Sequence, residues 1–116
     1  MNTRQTNWYG SNWIRREKRL AIYIRDNWRC VYCDKDLQNV RSAKNRQLDH
    51  VNPVHNGKPD NSSTNLVTCC EACNQRKNGK NLWSFVKDVA RLDYIIVQRN
   101  KSIDVRAAKL ILYGDA

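Results

Sequence analysis

The sequence lacks any hydrophobic run of the roughly 18 residues that a membrane-spanning helix requires. Its first ten residues are polar apart from two aromatic side chains, and they do not resemble the apolar core of a signal peptide. No segment is repeated internally, and no change of composition marks a domain boundary. These absences predict one intracellular domain over residues 1–116, without a membrane partner.

Acidic residues are also scarce, because 11 Asp and Glu stand against 21 Lys and Arg, which gives a net charge of +10. A surface with this excess attracts polyanions, and nucleic acid is the expected partner. The basic residues are scattered, without the solid block that is typical of a disordered tail. The charge therefore argues against a purely structural domain that binds another protein.

The cysteines number five, and an odd count in a reducing compartment disfavours disulfides. Four of them form two C-x-x-C pairs, Cys30 with Cys33 and Cys70 with Cys73. Two such loops can supply the tetrahedral four-sulfur shell that structural Zn²⁺ prefers. The spacing predicts a structural zinc site, with disulfides or free thiols as the alternative. We expect the fifth cysteine, Cys69, to be a small buried residue beside the site.

Apolar periodicity predicts helices on both sides of a central loop region. Apolar residues at helical spacing predict a helix over 12–26, and residues 46–51 are predicted as a short strand. Proline, glycine and asparagine crowd into residues 53–63, which predicts a loop. Apolar and cysteine side chains at three- and four-residue spacings then predict a helix over 65–78.

Beyond this helix, the pattern predicts a helical extension over 81–116. Its first helix covers residues 82–89 and its last covers residues 103–112. The apolar run at 94–97 is too short to carry a period, and it fits either a buried helix or a short strand. We favour the helix.

The segment between the cysteine pairs contains Asp49-His50, followed by Asn65-Leu66, and Cys73 leads directly into Asn74 and Lys77. In this order, over about residues 22–80, the elements resemble the HNH endonucleases in their four-cysteine zinc form. The resemblance implies a small, mostly helical α+β fold, with a ββα-metal, treble-clef-like core and flanking helices. It also implies a metal-dependent DNA endonuclease that nicks or cuts duplex DNA, typical of phages, mobile elements and bacterial restriction systems.

The resemblance assigns roles to four polar residues. His50 is the general base, a task that suits an imidazole near neutral pH. Asp49 and Asn74 are the ligands of a catalytic Mg²⁺ or Mn²⁺, although the family often has histidine where Asn74 stands, and an amide oxygen is the weaker ligand. Asn65 braces the loop that orients His50, and as an isolated residue it is equally compatible with a helix cap.

The basic residues after the second cysteine pair, Arg76 and Lys77, are predicted to contact phosphate beside the scissile bond. We expect His55 to be an exposed loop residue rather than a metal or phosphate contact. Five aromatic residues could stack on bases, but tryptophans in so small a domain more often fill the core, and none of the five is assigned to DNA: Trp8, Tyr9, Trp28, Tyr32 and Trp83. The competing hypothesis is a zinc-stabilised nucleic-acid-binding module without catalytic activity.

Overall fold

A two-stranded antiparallel sheet and the helix that follows it form the centre of the fold. The computed structural model describes residues 14–39, 45–53 and 59–114. In chain order the elements are α1 (Arg16–Arg25), β1 (Arg46–His50), a 3₁₀ turn (Ser63–Asn65), β2 (Leu66–Cys70), α2 (Glu71–Lys77), α3 (Leu82–Phe85), α4 (Val89–Asn100) and α5 (Val105–Tyr113). Strands β1 and β2 with helix α2 make a ββα unit, which confirms the predicted α+β class with flanking helices.

The two faces of β1 turn toward different helices. Arg46 pairs with Cys70 and His50 pairs with Leu66, so the strands overlap along their whole length. Side chains alternate along a strand, and Leu48 packs in a core cluster with Ile22 of α1. The next residue, Asp49, contacts α2 instead. His50 therefore lies on the α1 side of the sheet and Asp49 on the α2 side.

Strand β2 corrects the prediction of one helix over residues 65–78. The structure places a strand at Leu66–Cys70 and begins the helix only at Glu71. All five strand residues are buried, because α1 covers one face of the sheet and the cysteine loops and α4 cover the other. A strand covered on both faces lacks an alternation of buried and exposed side chains, and its spacings can be mistaken for those of a buried helix.

The other predicted elements agree with the structure or fall partly outside it. Helix α1 lies within the predicted range, whose residues 12 and 13 are not among the described residues. The predicted loop is described at its ends, and His55 lies in the part that is not described. Residues 94–97 are helical within α4. The predicted helix over 82–89 is interrupted, because α3 ends at Phe85 and α4 begins at Val89.

A buried ion pair fixes α1 against the sheet and α4. Arg25 Nε donates to Asp26 Oδ1 at 2.9 Å, and both side chains are almost fully buried. Asp26 Oδ2 accepts the backbone N–H of Thr68 in β2 at 2.9 Å, and Gln98 of α4 donates to the Arg25 carbonyl at 3.1 Å. Buried charges are tolerated when they are paired and hydrogen-bonded in this way.

The longest described helix, α4, has 12 residues, and none of the described helices is long and apolar enough to cross a membrane.

Candidate metal centre and catalytic site

The four paired cysteines meet at one point. The Sγ atoms of Cys30, Cys33, Cys70 and Cys73 all lie within 4.8 Å of one another, and those of Cys33 and Cys70 are 3.8 Å apart. Zn–S bonds of about 2.3 Å in a tetrahedron separate neighbouring sulfurs by about 3.8 Å. The four thiols are thus positioned to bind a metal ion, and their number and spacing support structural zinc. Cys69 is fully buried beside this group and is not part of it, as predicted.

Local backbone geometry builds both cysteine loops. The first is a tight turn, in which the Asp34 N–H donates to the Cys30 carbonyl at 2.8 Å and Asp34 adopts a left-handed φ of 68°. The Val31 N–H joins this turn to β2 by donating to the Thr68 carbonyl at 3.0 Å. The second pair spans the junction of β2 and α2, where the Cys73 N–H donates to the Cys70 Sγ at 3.4 Å. The sheet therefore holds both loops at the distance that one ion requires.

The electrostatics of the cysteine group suit a bound cation. Burial raises the pKa of Cys30 to about 11, and burial together with the charge of Cys30 raises the pKa of Cys73. At Cys70, burial pushes the pKa upward, but hydrogen bonds led by the backbone N–H of Cys73 lower it overall. The Arg76 guanidinium donates to Cys73 Sγ at 3.0 Å. Buried thiolates need nearby positive charge, which a metal ion supplies as it displaces the thiol protons.

Asp49 is held by two donors on the α2 side of the sheet. The Tyr32 hydroxyl donates to Asp49 Oδ2 at 2.6 Å, and Lys77 Nζ lies 3.0 Å from the same oxygen. Lys77 also donates to the backbone carbonyl of His50 at 2.7 Å. Burial, followed by the charge of Asp49, raises the pKa of Tyr32, so the hydroxyl remains a hydrogen-bond donor.

The placement of Lys77 corrects its predicted role. Its side chain is 1% exposed, and its ammonium group faces Asp49 rather than solvent. A phosphate group outside the protein does not reach an ammonium that is buried and paired in this way. Lys77 is therefore part of the interior of the site, whereas its neighbour Arg76 is exposed.

Asn74 faces the same side of β1 as Asp49. Its Nδ2 donates to Gln47 Oε1 at 2.6 Å, and Gln47 is two residues before Asp49 on the strand. Residues two apart on a strand share a face, and Asn74 and Lys77 are three apart on one face of α2. The bond to Gln47 orients the amide by its nitrogen. The Asn74 amide and the Asp49 carboxylate both offer oxygen atoms, the ligand type that hard divalent ions such as Mg²⁺ or Mn²⁺ prefer.

The His50 imidazole lies on the opposite side of the end of β1. Its Nε2 is 2.7 Å from the Oδ1 of Asn61, a residue of the loop that returns toward β2. The backbone carbonyl of Asn61 in turn accepts a hydrogen bond from Lys18 Nζ of α1. Because an amide oxygen can only accept, Asn61 fixes the orientation of the ring by receiving the Nε2 proton.

Asn65 connects the two ends of the loop between the strands. Its Nδ2 donates to the carbonyls of Asn52 at 3.0 Å and Asp60 at 2.8 Å, and its Oδ1 accepts the Asn52 N–H at 2.9 Å. Asn65 as a whole is 2% exposed. These bonds hold the loop that contains Asn61 close to His50.

The structure thus places Asp49 and His50 on opposite faces at the carboxyl end of β1, Asn65 beneath the loop that follows, and Asn74 beside Gln47 on the Asp49 face. Three further contacts, from Tyr32, Gln47 and Asn61, were not predicted. Tyr32 lies inside the first cysteine pair, and Gln47 lies two residues before Asp49. These spacings were the available signals for both residues, whereas the contact of Asn61 depends on the path of the loop.

Two comparisons with known proteins bear on this geometry. No curated protein matches the chain. The family model described as HNH endonuclease matches residues 30–90, which is more than half of the 116 residues and includes both cysteine pairs, Asp49, His50 and Asn74. With the four-cysteine group and the ββα unit, this match shows that the chain belongs to the HNH endonuclease family.

Proposed function

We propose that this protein is a metal-dependent endonuclease that hydrolyses phosphodiester bonds in duplex DNA. Family membership indicates a nuclease-type module that acts on nucleic acid. The observation that carries the finer proposal is that Asp49 and His50 are adjacent at the carboxyl end of β1, while Asn74 of α2 lies on the Asp49 face of the same strand. The net charge of +10 favours a polyanionic substrate.

The roles of the residues follow from their chemistry. Asp49 and Asn74 would hold the divalent ion, which when bound would neutralise charge that develops on the phosphate and the leaving oxygen. His50 accepts a proton from the attacking water, whose oxygen bonds to phosphorus as the bond to the 3′ oxygen breaks. A solvent proton goes to that oxygen, and the products are a 5′-phosphate and a 3′-hydroxyl. Asn61 keeps the imidazole oriented throughout.

The test is cleavage of supercoiled plasmid by zinc-loaded protein that has been freed of other divalent ions by gel filtration. We expect relaxed or linear DNA with added Mg²⁺ or Mn²⁺ and intact plasmid without them. Zinc content and circular dichroism measured on the same sample separate loss of the catalytic ion from loss of the fold. Intact plasmid with folded, zinc-loaded protein under both ions would contradict the proposal.

One observation favours the alternative of a binding module without catalysis. The ammonium of Lys77, 3.0 Å from Asp49, already places a positive charge beside the carboxylate that an ion would use. If this ion pair replaces the metal, the protein binds DNA, leaves plasmid intact and does not bind Mn²⁺. The endonuclease proposal instead requires that the protein cut plasmid and bind Mn²⁺.

Arg76 is the proposed phosphate contact, since it is exposed on α2 beside the cysteine group. Arg76→Ala is expected to weaken binding to unrelated duplexes to a similar extent. It should also make the slope of log affinity against log salt concentration shallower by about 0.9, the loss of one phosphate contact. Fluorescence anisotropy over a series of salt concentrations measures the slope.

Arg106→Ala is the matched control, because Arg106 is an exposed arginine on the terminal helix α5. Because Arg76 contacts Cys73, the zinc content of both variants is measured first. An unchanged slope in zinc-loaded Arg76→Ala, or an equal change in Arg106→Ala, would remove Arg76 from the DNA contact.

A further inference from the structure

Both donors that contact Asp49 bind the same carboxylate oxygen. The Tyr32 hydroxyl and Lys77 Nζ approach Oδ2 at 2.6 and 3.0 Å, from the first cysteine loop and from α2 respectively. The side chain of Asp49 is 12% exposed, so it retains an opening to solvent. A carboxylate oxygen that already accepts two hydrogen bonds has little capacity for a metal ion. The other oxygen, Oδ1, is the one that an ion would take.

We propose that Tyr32 is a positioning residue, which holds Asp49 by Oδ2 so that Oδ1 is presented to the catalytic ion. This inference rests on the proposed function, in which Asp49 is a ligand of that ion. The terminal torsion of an aspartate is broad, and a carboxylate without fixed partners samples many orientations. A short hydrogen bond from a rigid aromatic ring removes that freedom before the ion binds.

The surroundings of Tyr32 make it a rigid support. Its ring packs edge-on against Phe85 with 5.3 Å between the ring centroids. The backbone of the preceding residue, Val31, is fixed twice, since its N–H donates to Thr68 at 3.0 Å and its carbonyl accepts from Arg91 Nη1 at 3.0 Å. The hydroxyl that contacts Asp49 is therefore held in one place.

The position of Tyr32 in the chain connects the two metal sites. Tyr32 lies between Cys30 and Cys33, the first pair of the four-sulfur group. The loop that closes around zinc therefore also carries the hydroxyl that orients the catalytic carboxylate. On this inference the structural site stabilises the fold and also sets the affinity of Asp49 for the second ion.

The experiment compares Tyr32→Phe with wild type in a direct Mn²⁺ titration without DNA, using the electron paramagnetic resonance signal of free Mn²⁺. The change removes one hydroxyl and keeps the ring. A hydrogen bond to a charged group contributes enough to predict an increase of about tenfold in the Mn²⁺ dissociation constant. Zinc content is measured on each sample and is expected to be unchanged.

Tyr94→Phe is the matched control, because Tyr94 on α4 packs against the same core cluster as Tyr32 and contacts Arg91 rather than Asp49. A merely structural role of the Tyr32 hydroxyl would lower the melting temperature without changing Mn²⁺ affinity. The expected result is a weaker Mn²⁺ site in Tyr32→Phe and an unchanged site in Tyr94→Phe.

Asp49→Ala distinguishes failure of the positioning role of Tyr32 from failure of the proposed function. If Asp49→Ala abolishes Mn²⁺ binding while Tyr32→Phe binds like wild type, the positioning role is overturned and the proposed function stands. If Asp49→Ala binds Mn²⁺ like wild type, the ion does not use Asp49, and the proposed function and the positioning role are both overturned.

Discussion

Replacing Cys33 by serine is expected to unfold the domain and to abolish zinc binding. The four thiols lie within 4.8 Å of one another, and they come from a loop that precedes β1 and from the junction of β2 with α2. Four-thiolate zinc sites contribute on the order of 10 kcal/mol to folding, which is comparable to the whole stability of a small domain. Loss of one ligand therefore removes most of the free energy that holds these segments together.

Cys69→Ser provides a matched control, because it makes the same chemical change one residue before Cys70. The Cys69 side chain is buried outside the four-sulfur group, and burial raises its pKa, so it is present as a neutral thiol. A hydroxyl in its place costs about 1 to 3 kcal/mol if it finds no partner, which is much less than the loss of zinc. The domain should remain folded.

Zinc content by atomic absorption and far-ultraviolet circular dichroism decide this prediction. Zinc lost in Cys33→Ser and retained in Cys69→Ser is the expected pattern. A folded Cys33→Ser protein that keeps its zinc, or loss of zinc from Cys69→Ser, would contradict the assignment of the ligands.

The cysteine group could be predicted from the sequence because its chemistry is local. Each C-x-x-C loop brings two thiols to one ion with little help from the rest of the chain, so the spacing alone predicts the site. The relative placement of Asp49 and His50 could be predicted for the same reason, because it too is local. Once the segment is known to be a strand, two neighbouring residues must lie on its opposite faces.

The secondary structure of residues 66–70 could not be predicted from the spacing of their apolar side chains. Leu66, Val67 and the cysteines that follow are buried on both faces of the sheet, and such a strand has no alternation. The coverage that buries them comes from α1 and α4, which are distant in sequence. Tertiary packing therefore decided between helix and strand.

The role of Lys77 also depended on packing. In the sequence, Arg76 and Lys77 are consecutive basic residues, and this pattern favours a phosphate contact for each of them. The structure turns Lys77 inward, three residues after Asn74 on the face of α2 that meets β1, whereas Arg76 points outward. Charge composition cannot distinguish these orientations, because the face of a helix that is buried depends on what lies opposite.

The second large effect is expected from His50→Ala, which should reduce the rate of DNA cleavage by about 10² to 10⁴, the usual contribution of a general base. The fold should persist, since the imidazole is half-buried at the end of β1 and outside the core clusters. Zinc content and Mn²⁺ affinity should also persist, since Asp49 and Asn74 lie on the other face of the strand.

This pattern distinguishes a base from a ligand. Asp49→Ala should lose cleavage together with Mn²⁺ affinity, whereas His50→Ala should lose cleavage alone. His55→Ala is the matched control, because His55 is the second of the two histidines in the chain and is predicted to be an exposed loop residue. Single-turnover cleavage of plasmid at saturating Mn²⁺ measures the chemical step without product release. Folded His50→Ala that cleaves at the wild-type rate would show that the proton of the attacking water goes to another group. Under these conditions the measured rate reports the chemical step alone, so a change in DNA or metal binding could not mask the loss of the general base.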